Sequence, residues 1–136
     1  MCIRDRVDTG LAKGITRILP QLDGCLTARA IRVPTVNVSA MDVSVYVKSS
    51  IDSDSVNNVL RKASLDYLPN VLGVSEQPLV SCDFNHDPRS AIVDLTQTSV
   101  SGGHLLKIFV WFDNEWAYAN RMLDIAQFLA HMSVDK

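Results

Sequence analysis

A few places in this sequence hold residues whose types and spacing could do chemistry. Thr9-Gly10 precedes a helical pattern. Free backbone N–H groups and the positive end of the helix dipole make such a position a natural phosphate site. The same pair serves equally as a plain helix N-cap. Arg32 ends a mostly apolar stretch ahead of Val33-Pro34-Thr35. It could offer phosphate oxygens a planar, permanently charged fork, or simply face water. Asp113-Asn114-Glu115-Trp116 follows an apolar run and opens the last helical pattern. Asn114 could present its carboxamide to a ligand at the end of that run, while Asp113 or Asn114 caps the helix; the two roles are compatible. Asp83, His86 and Asp87 come nearest to a metal-like grouping. Their spacing matches no common ligand set, and a solvated loop explains them. Cys82 stands in an apolar stretch without a neighbouring His and reads as a small buried packing group. There is no Gly-rich dinucleotide turn and no P-loop, so local chemistry leaves the function open.

The elements that must position these residues follow from periodicity. Leu11, Ile15, Ile18, Leu19 and Leu22 fall on one helical stripe, with Asp8 or Thr9 as N-cap and Asp23-Gly24 as the stop. Residues 26–33 alternate as a strand. Residues 40–48 do so more cleanly, with Val43, Val45 and Val47 opposed to Asp42, Ser44, Tyr46 and Lys48. A second helix opens at Asp52 or Ser53 and is striped by Val56, Val59, Leu60, Ala63 and Tyr67, with Pro69-Asn70 and Gly73 marking turns. Residues 79–84 and 90–94 read as short strands joined by the polar loop 85–88. Residues 105–112 are apolar on both faces except for Lys107, which suits a central strand. The last helix starts near Asn114, with Tyr118, Met122, Ile125, Ala126 and Leu129 expected on its inner face. Strands in groups with helices between the groups predict an α+β fold, a mostly antiparallel or mixed sheet covered by helices.

Composition bounds the rest. The chain has 136 residues, the size of one ordinary domain, and is 47% hydrophobic and 21% charged, which excludes disorder and low complexity. Its formal charge of −2 has no basic block, arguing against a nucleic-acid partner. No apolar run reaches the ~20 residues of a membrane helix, and no secretory signal opens the chain. Three widely spaced cysteines, Cys2, Cys25 and Cys82, suit free thiols in a reducing cytoplasm. Residues 1–6 lead into no pattern and are expected to be a non-native leader. Residues 7–136 are then expected to form the domain proper.

Taken together, several segments resemble the C-terminal, catalytic half of the glyceraldehyde-3-phosphate dehydrogenase family. They are Thr9-Gly10-Leu11-Ala12-Lys13, Ile18-Leu19-Pro20, Arg32-Val33-Pro34-Thr35 with Asn37-Val38-Ser39, and Trp111-Phe112-Asp113-Asn114-Glu115-Trp116. Within the family, Ser81-Cys82-Asp83-Phe84-Asn85-His86-Asp87-Pro88, Ser90-Ala91-Ile92-Val93-Asp94, Thr96-Gln97-Thr98 and Asn120-Arg121-Met122-Leu123-Asp124 are most similar to the erythrose-4-phosphate dehydrogenase branch. At position 117, where many relatives have Gly, this chain has Ala117.

The resemblance implies roles for the weak sites. Thr9 and Gly10 would bind a phosphate or the incoming group, Arg32 would clamp the substrate phosphate, Asn114 would hold the nicotinamide carboxamide of NAD, and Tyr118 would lie near the nicotinamide. It also implies a covalent mechanism, in which a cysteine thiolate attacks the aldehyde with a histidine as base. Hydride then passes to NAD, leaving a thioester. In the erythrose-4-phosphate branch, water releases 4-phosphoerythronate for pyridoxal phosphate synthesis; in glyceraldehyde-3-phosphate enzymes, inorganic phosphate takes that step. The family's cysteine, histidine and NAD-binding Rossmann domain lie upstream of the segment that starts at Thr9. No catalytic residue is therefore assigned here, and the chain alone is expected to be inactive. A full-length homotetramer in the cytoplasm is implied as well. Alternatives are a fragment of a glyceraldehyde-3-phosphate dehydrogenase, and a free-standing domain that binds sugar phosphates or mediates assembly without catalysis.

Overall fold

The computed structural model describes residues 5–7 and 9–134 of the chain. They fall into two units, Met1–Val36 and Asn37–Lys136. The architecture is α+β with a mixed main sheet, as the grouping of strands and helices predicts.

In the first unit, strand β1 (Asp5–Val7) pairs antiparallel with strand β2 (Ala30–Arg32), Asp5 opposite Arg32 and Val7 opposite Ala30. Asp5 and Arg6, set apart by the sequence reading as leader, therefore belong to a ladder; residues 1–4 lie outside the described residues. The strand expected over residues 26–33 shortens to Ala30–Arg32 among the described residues. Helix α1 (Leu11–Ile18) lies between the two strands in sequence and takes Gly10 as its N-cap. Asp8, one expected cap, lies outside the described residues; Thr9 Oγ1 accepts from the Leu11 N–H at 3.2 Å, just ahead of the helix. Pro20, which lacks an N–H to donate, turns the chain into a single 3₁₀ turn at Pro20–Leu22.

The second unit is built on a four-stranded sheet. Strands β3 (Ser39–Tyr46), β4 (Leu72–Ser75), β5 (Ala91–Ser101) and β6 (Leu105–Phe112) lie in the order β3-β6-β5-β4. The β3–β6 and β5–β6 pairs are antiparallel, and β4–β5 is parallel. The β5–β6 connection needs positive φ at Gly102 (58°) and Gly103 (73°), which glycine adopts without a Cβ clash. Helix α2 (Ser53–Lys62) is capped by Asp52, whose carboxylate accepts from the Ser55 N–H at 2.9 Å, so one of the two expected caps is the one used. Leu60 of α2 packs on Val93, Leu95 and Val110, covering one face of the sheet. Val38, Phe84 and Ile92, with Trp111 and Leu79 against them, form a second cluster. Ile92 and Val93 are neighbours on one strand and so point to opposite faces. That places the two clusters on opposite faces of β5, and Ile92 to Leu95 are accordingly all buried.

Three expectations need correction. Residues 79–84 are not a strand: Asp83 turns back to accept the Val80 N–H at 2.8 Å, and Ser81–Phe84 winds into a 3₁₀ turn instead. The strand in that region is β4, which contains Gly73, read from sequence as a turn residue. Gly73 is there because the Arg89 guanidinium lies where its Cβ would stand. Cys82, expected as buried packing, sits on the 3₁₀ turn and is exposed.

Helix α3 (Asn114–Val134) starts where expected, but its predicted inner face is not buried. Tyr118, Met122, Ile125 and Leu129 are all exposed, as is Ala126. The helix is held at its first turns instead. Ala117 is 4% exposed, so its methyl is packed. One turn further, Arg121 Nη1 donates to the Asn70 and Pro88 carbonyls at 3.0 and 3.3 Å and to Ser90 Oγ at 3.2 Å.

Candidate functional site

The first unit holds the residues expected to meet phosphate. Gly10, the N-cap of α1, sits at φ −82° and ψ 7°, and a Cβ there would meet nothing within 4 Å. Thr9 Oγ1 uses a lone pair on the Leu11 N–H, which leaves its own O–H to donate elsewhere. Arg32, at the end of β2, is exposed. The antiparallel register carries it to the Asp5 end of the short ladder, whereas Thr9 follows the Val7 end. Thr9, Gly10 and Arg32 therefore belong to one unit but are not brought to the same end of its ladder.

The second unit holds the other two. Asn114 is the first residue of α3, emerging directly from the end of β6. It is exposed, and its carboxamide has no hydrogen-bond partner among the described residues. Tyr118 lies one turn along on the same helix face, 67% exposed. A carboxamide with a free donor and acceptor, next to an accessible aromatic ring, fits a ligand that carries an amide on a flat heterocycle.

Beneath Asn114 lies a group that the sequence reading took only as a possible cap. Asp113 is 1% exposed. One carboxylate oxygen caps α3 through the Trp116 N–H at 3.1 Å. The other accepts from Asn37 Nδ2 at 2.8 Å and from the His86 N–H at 2.9 Å. Burial alone would raise the Asp113 pKa, but these hydrogen bonds and the nearby His86 outweigh it and hold the carboxyl below its ordinary value. The His86 ring, in turn, lies against Trp116 in a tilted arrangement, with centroids 4.8 Å apart and the planes inclined by 41°. Asn37, His86, Asp113, Glu115 and Trp116 line a shallow cavity of about 170 Å³.

Nothing local in the sequence marks Asn37 or His86 as partners of Asp113, since they lie 76 and 27 residues away. The carboxylates of the loop that came nearest to a metal-like grouping in the sequence, and that was read as a solvated loop, are engaged locally. Asp83 holds the Val80 N–H, and Asp87 takes Arg89 in a two-pronged pair at 2.9 and 2.5 Å. Among the described residues, no group of three or more His, Cys, Asp or Glu is placed to hold a metal ion, and no helix is long and apolar enough to cross a membrane.

Comparison with known families supplies what the geometry lacks. The family model described as "Glyceraldehyde 3-phosphate dehydrogenase, C-terminal domain" matches residues 5–114, most of the chain. The chain belongs to this family. The matched stretch begins in β1 and ends at Asn114, so it takes in Thr9, Gly10, Arg32 and the whole mixed sheet of the glyceraldehyde 3-phosphate dehydrogenase C-terminal domain. Membership places the chain in an oxidoreductase lineage that generally uses NAD. Most of α3, with Tyr118 on it, lies beyond the match.

Proposed function

We propose that this chain is part of an NAD-dependent dehydrogenase of phosphorylated aldehydes that acts on erythrose 4-phosphate and forms 4-phosphoerythronate for pyridoxal phosphate synthesis. The observation that carries the reading is Asn114: an exposed, unengaged carboxamide fixed at the junction of a central strand and a capped helix, in a chain of this family. In this reading Asn114 holds the nicotinamide carboxamide and so selects the ring face presented, with Tyr118 beside the ring. When bound, NAD supplies the hydride acceptor.

The chain's own residues bind and orient. Arg32 offers its guanidinium to the substrate phosphate, which bidentate hydrogen bonding suits better than a point charge. Thr9 donates its O–H, and the first turn of α1 its free N–H groups, to a second anion or to the incoming group. In the family mechanism the thiol nucleophile and its histidine base precede the stretch that starts at Thr9, so no catalytic residue is assigned among these residues. The full enzyme is a cytoplasmic homotetramer.

The test compares oxidation of erythrose 4-phosphate and glyceraldehyde 3-phosphate by the complete enzyme, with and without inorganic phosphate. Phosphate-independent preference for erythrose 4-phosphate is expected. Phosphate-dependent preference for glyceraldehyde 3-phosphate would assign the chain to the other branch. The non-catalytic alternative, a free-standing sugar-phosphate-binding domain, is favoured by the retained Arg32 and Thr9-Gly10 and is tested by calorimetric titration of this chain with erythrose 4-phosphate.

A further inference from the structure

Asp113 does more than cap a helix. A cap needs one side-chain acceptor for one N–H, and Ser, Thr or Asn provides that as well as Asp. Here a single carboxylate gathers donors from three separate segments: Asn37 ahead of β3, His86 in the turn after the 3₁₀ segment, and Trp116 in the first turn of α3. Only a carboxylate, with its two oxygens and about four lone-pair directions, accepts all three at once.

The backbone at two of these contacts is held where side chains resist going. His86 has φ +61°, and Val38, next to Asn37, has φ +69°, an outlying conformation for a β-branched residue. Such backbone persists where the surroundings over-determine it. Asn37 also donates to Asn85 Oδ1 at 2.6 Å, so both loops are tied to each other as well as to Asp113. Asn114 is the next residue along, with no hydrogen bond of its own side chain among the described residues.

We infer that Asp113 is the positioning residue for Asn114, its buried carboxylate bracketing the two loops and the helix start so that the Asn114 carboxamide leaves the end of β6 in one fixed direction. The inference rests on the reading of Asn114 as the residue that holds the nicotinamide. Asp113 touches no substrate; it acts through its neighbour.

The test is NMR spectroscopy of the 136-residue chain, wild type and Asp113→Ser. Serine still caps α3 at the Trp116 N–H but is too short to reach Asn37 and His86, so a purely capping role survives the change. Bracketing predicts that the His86 N–H exchanges at least about tenfold faster and that the Asn114 backbone and side-chain amide signals move, while the Val93 and Val110 signals stay put. Asn114 signals that coincide with those of the wild type would overturn the inference. If Asp113→Ser loses the Val93 and Val110 signals, Asn37→Ala decides in its place. It removes the amide that donates to both Asp113 and Asn85 and leaves the cap intact, and the same two outcomes apply.

Titration of the complete enzyme, Rossmann domain included, with NAD separates this inference from the reading beneath it. A saturable shift of the wild-type Asn114 side-chain amide, requiring at least about tenfold more NAD in the variant, supports both. No shift in the wild type counts against the cofactor role of Asn114, and the ligand-free spectra still decide the bracketing.

Discussion

At the scale of single residues, Asp113 and Asn114 divide the labour of one site. Asp113 is buried and fully engaged, whereas Asn114 is exposed and has no partner among the described residues. Asp113→Ala should therefore cost about 2–3 kcal/mol in denaturant unfolding, since it removes a helix cap and strands two further donors. Asn114→Ala should leave stability within about 0.5 kcal/mol while abolishing any effect of NAD on the first turn of α3. The pH dependence has a definite sign. The Asp113 carboxyl lies below its ordinary value of 3.8 in the folded chain. The ionised form therefore stabilises the fold fully above that value, and the contribution is lost as pH falls through the lower, folded value. A plot of melting temperature against pH should drop more steeply on the acid side for wild type than for Asp113→Asn. Parallel curves would show that Asp113 carries none of the acid sensitivity.

At the scale of elements, what the sequence made legible was whatever depended on local periodicity. The alternation through Val43 and Val45 marks β3, which ends at Tyr46, two residues sooner than expected; the apolar run 105–112, broken only at Lys107, marks β6; and Asp52, one of the two caps read, marks the start of α2. Elements set by distant partners were misread. Gly73 looks like a turn residue until Arg89, 16 positions on, is seen to occupy the space of its missing Cβ. Residues 79–84 look extended until Asp83 hydrogen-bonds back to Val80. Position 92 illustrates the energetic side of the same point. Ile92 is completely buried between Phe84 and the sheet, a burial that its neighbours in sequence do not reveal. Ile92→Ala should cost about 3–4 kcal/mol in urea unfolding. The same truncation at Ile31, 77% exposed, should cost under about 0.5 kcal/mol. The candidate residues Asn114 and Arg32 could be named from the sequence one by one. The Asn37–Asp113–His86 bracket could not, because hydrogen bonds across 76 and 27 residues leave no spacing to read.

At the scale of the whole molecule, α3 is the anomaly. Met122, Leu123, Ile125, Phe128 and Met132 are each more than half exposed along the same helix. Apolar surface of that extent favours association in water. Sedimentation of the chain should show concentration-dependent association, and Ile125→Lys with Phe128→Lys should shift it towards monomer without lowering the melting temperature. A chain that sediments as a monomer at every concentration would contradict this.

The central claim is that this domain presents phosphate-clamping and nicotinamide-orienting groups to a phosphorylated aldehyde. The most direct measurement is the initial rate of NADH formation from erythrose 4-phosphate by the complete enzyme and its Arg32→Ala variant, over a range of substrate concentrations. Loss of a bidentate charge-assisted contact is worth about 2–3 kcal/mol, so kcat/KM should fall by roughly thirty- to a hundredfold or more, with the aldehyde lacking a phosphate unaffected. An Arg32→Ala enzyme with unchanged kcat/KM for erythrose 4-phosphate would contradict the account.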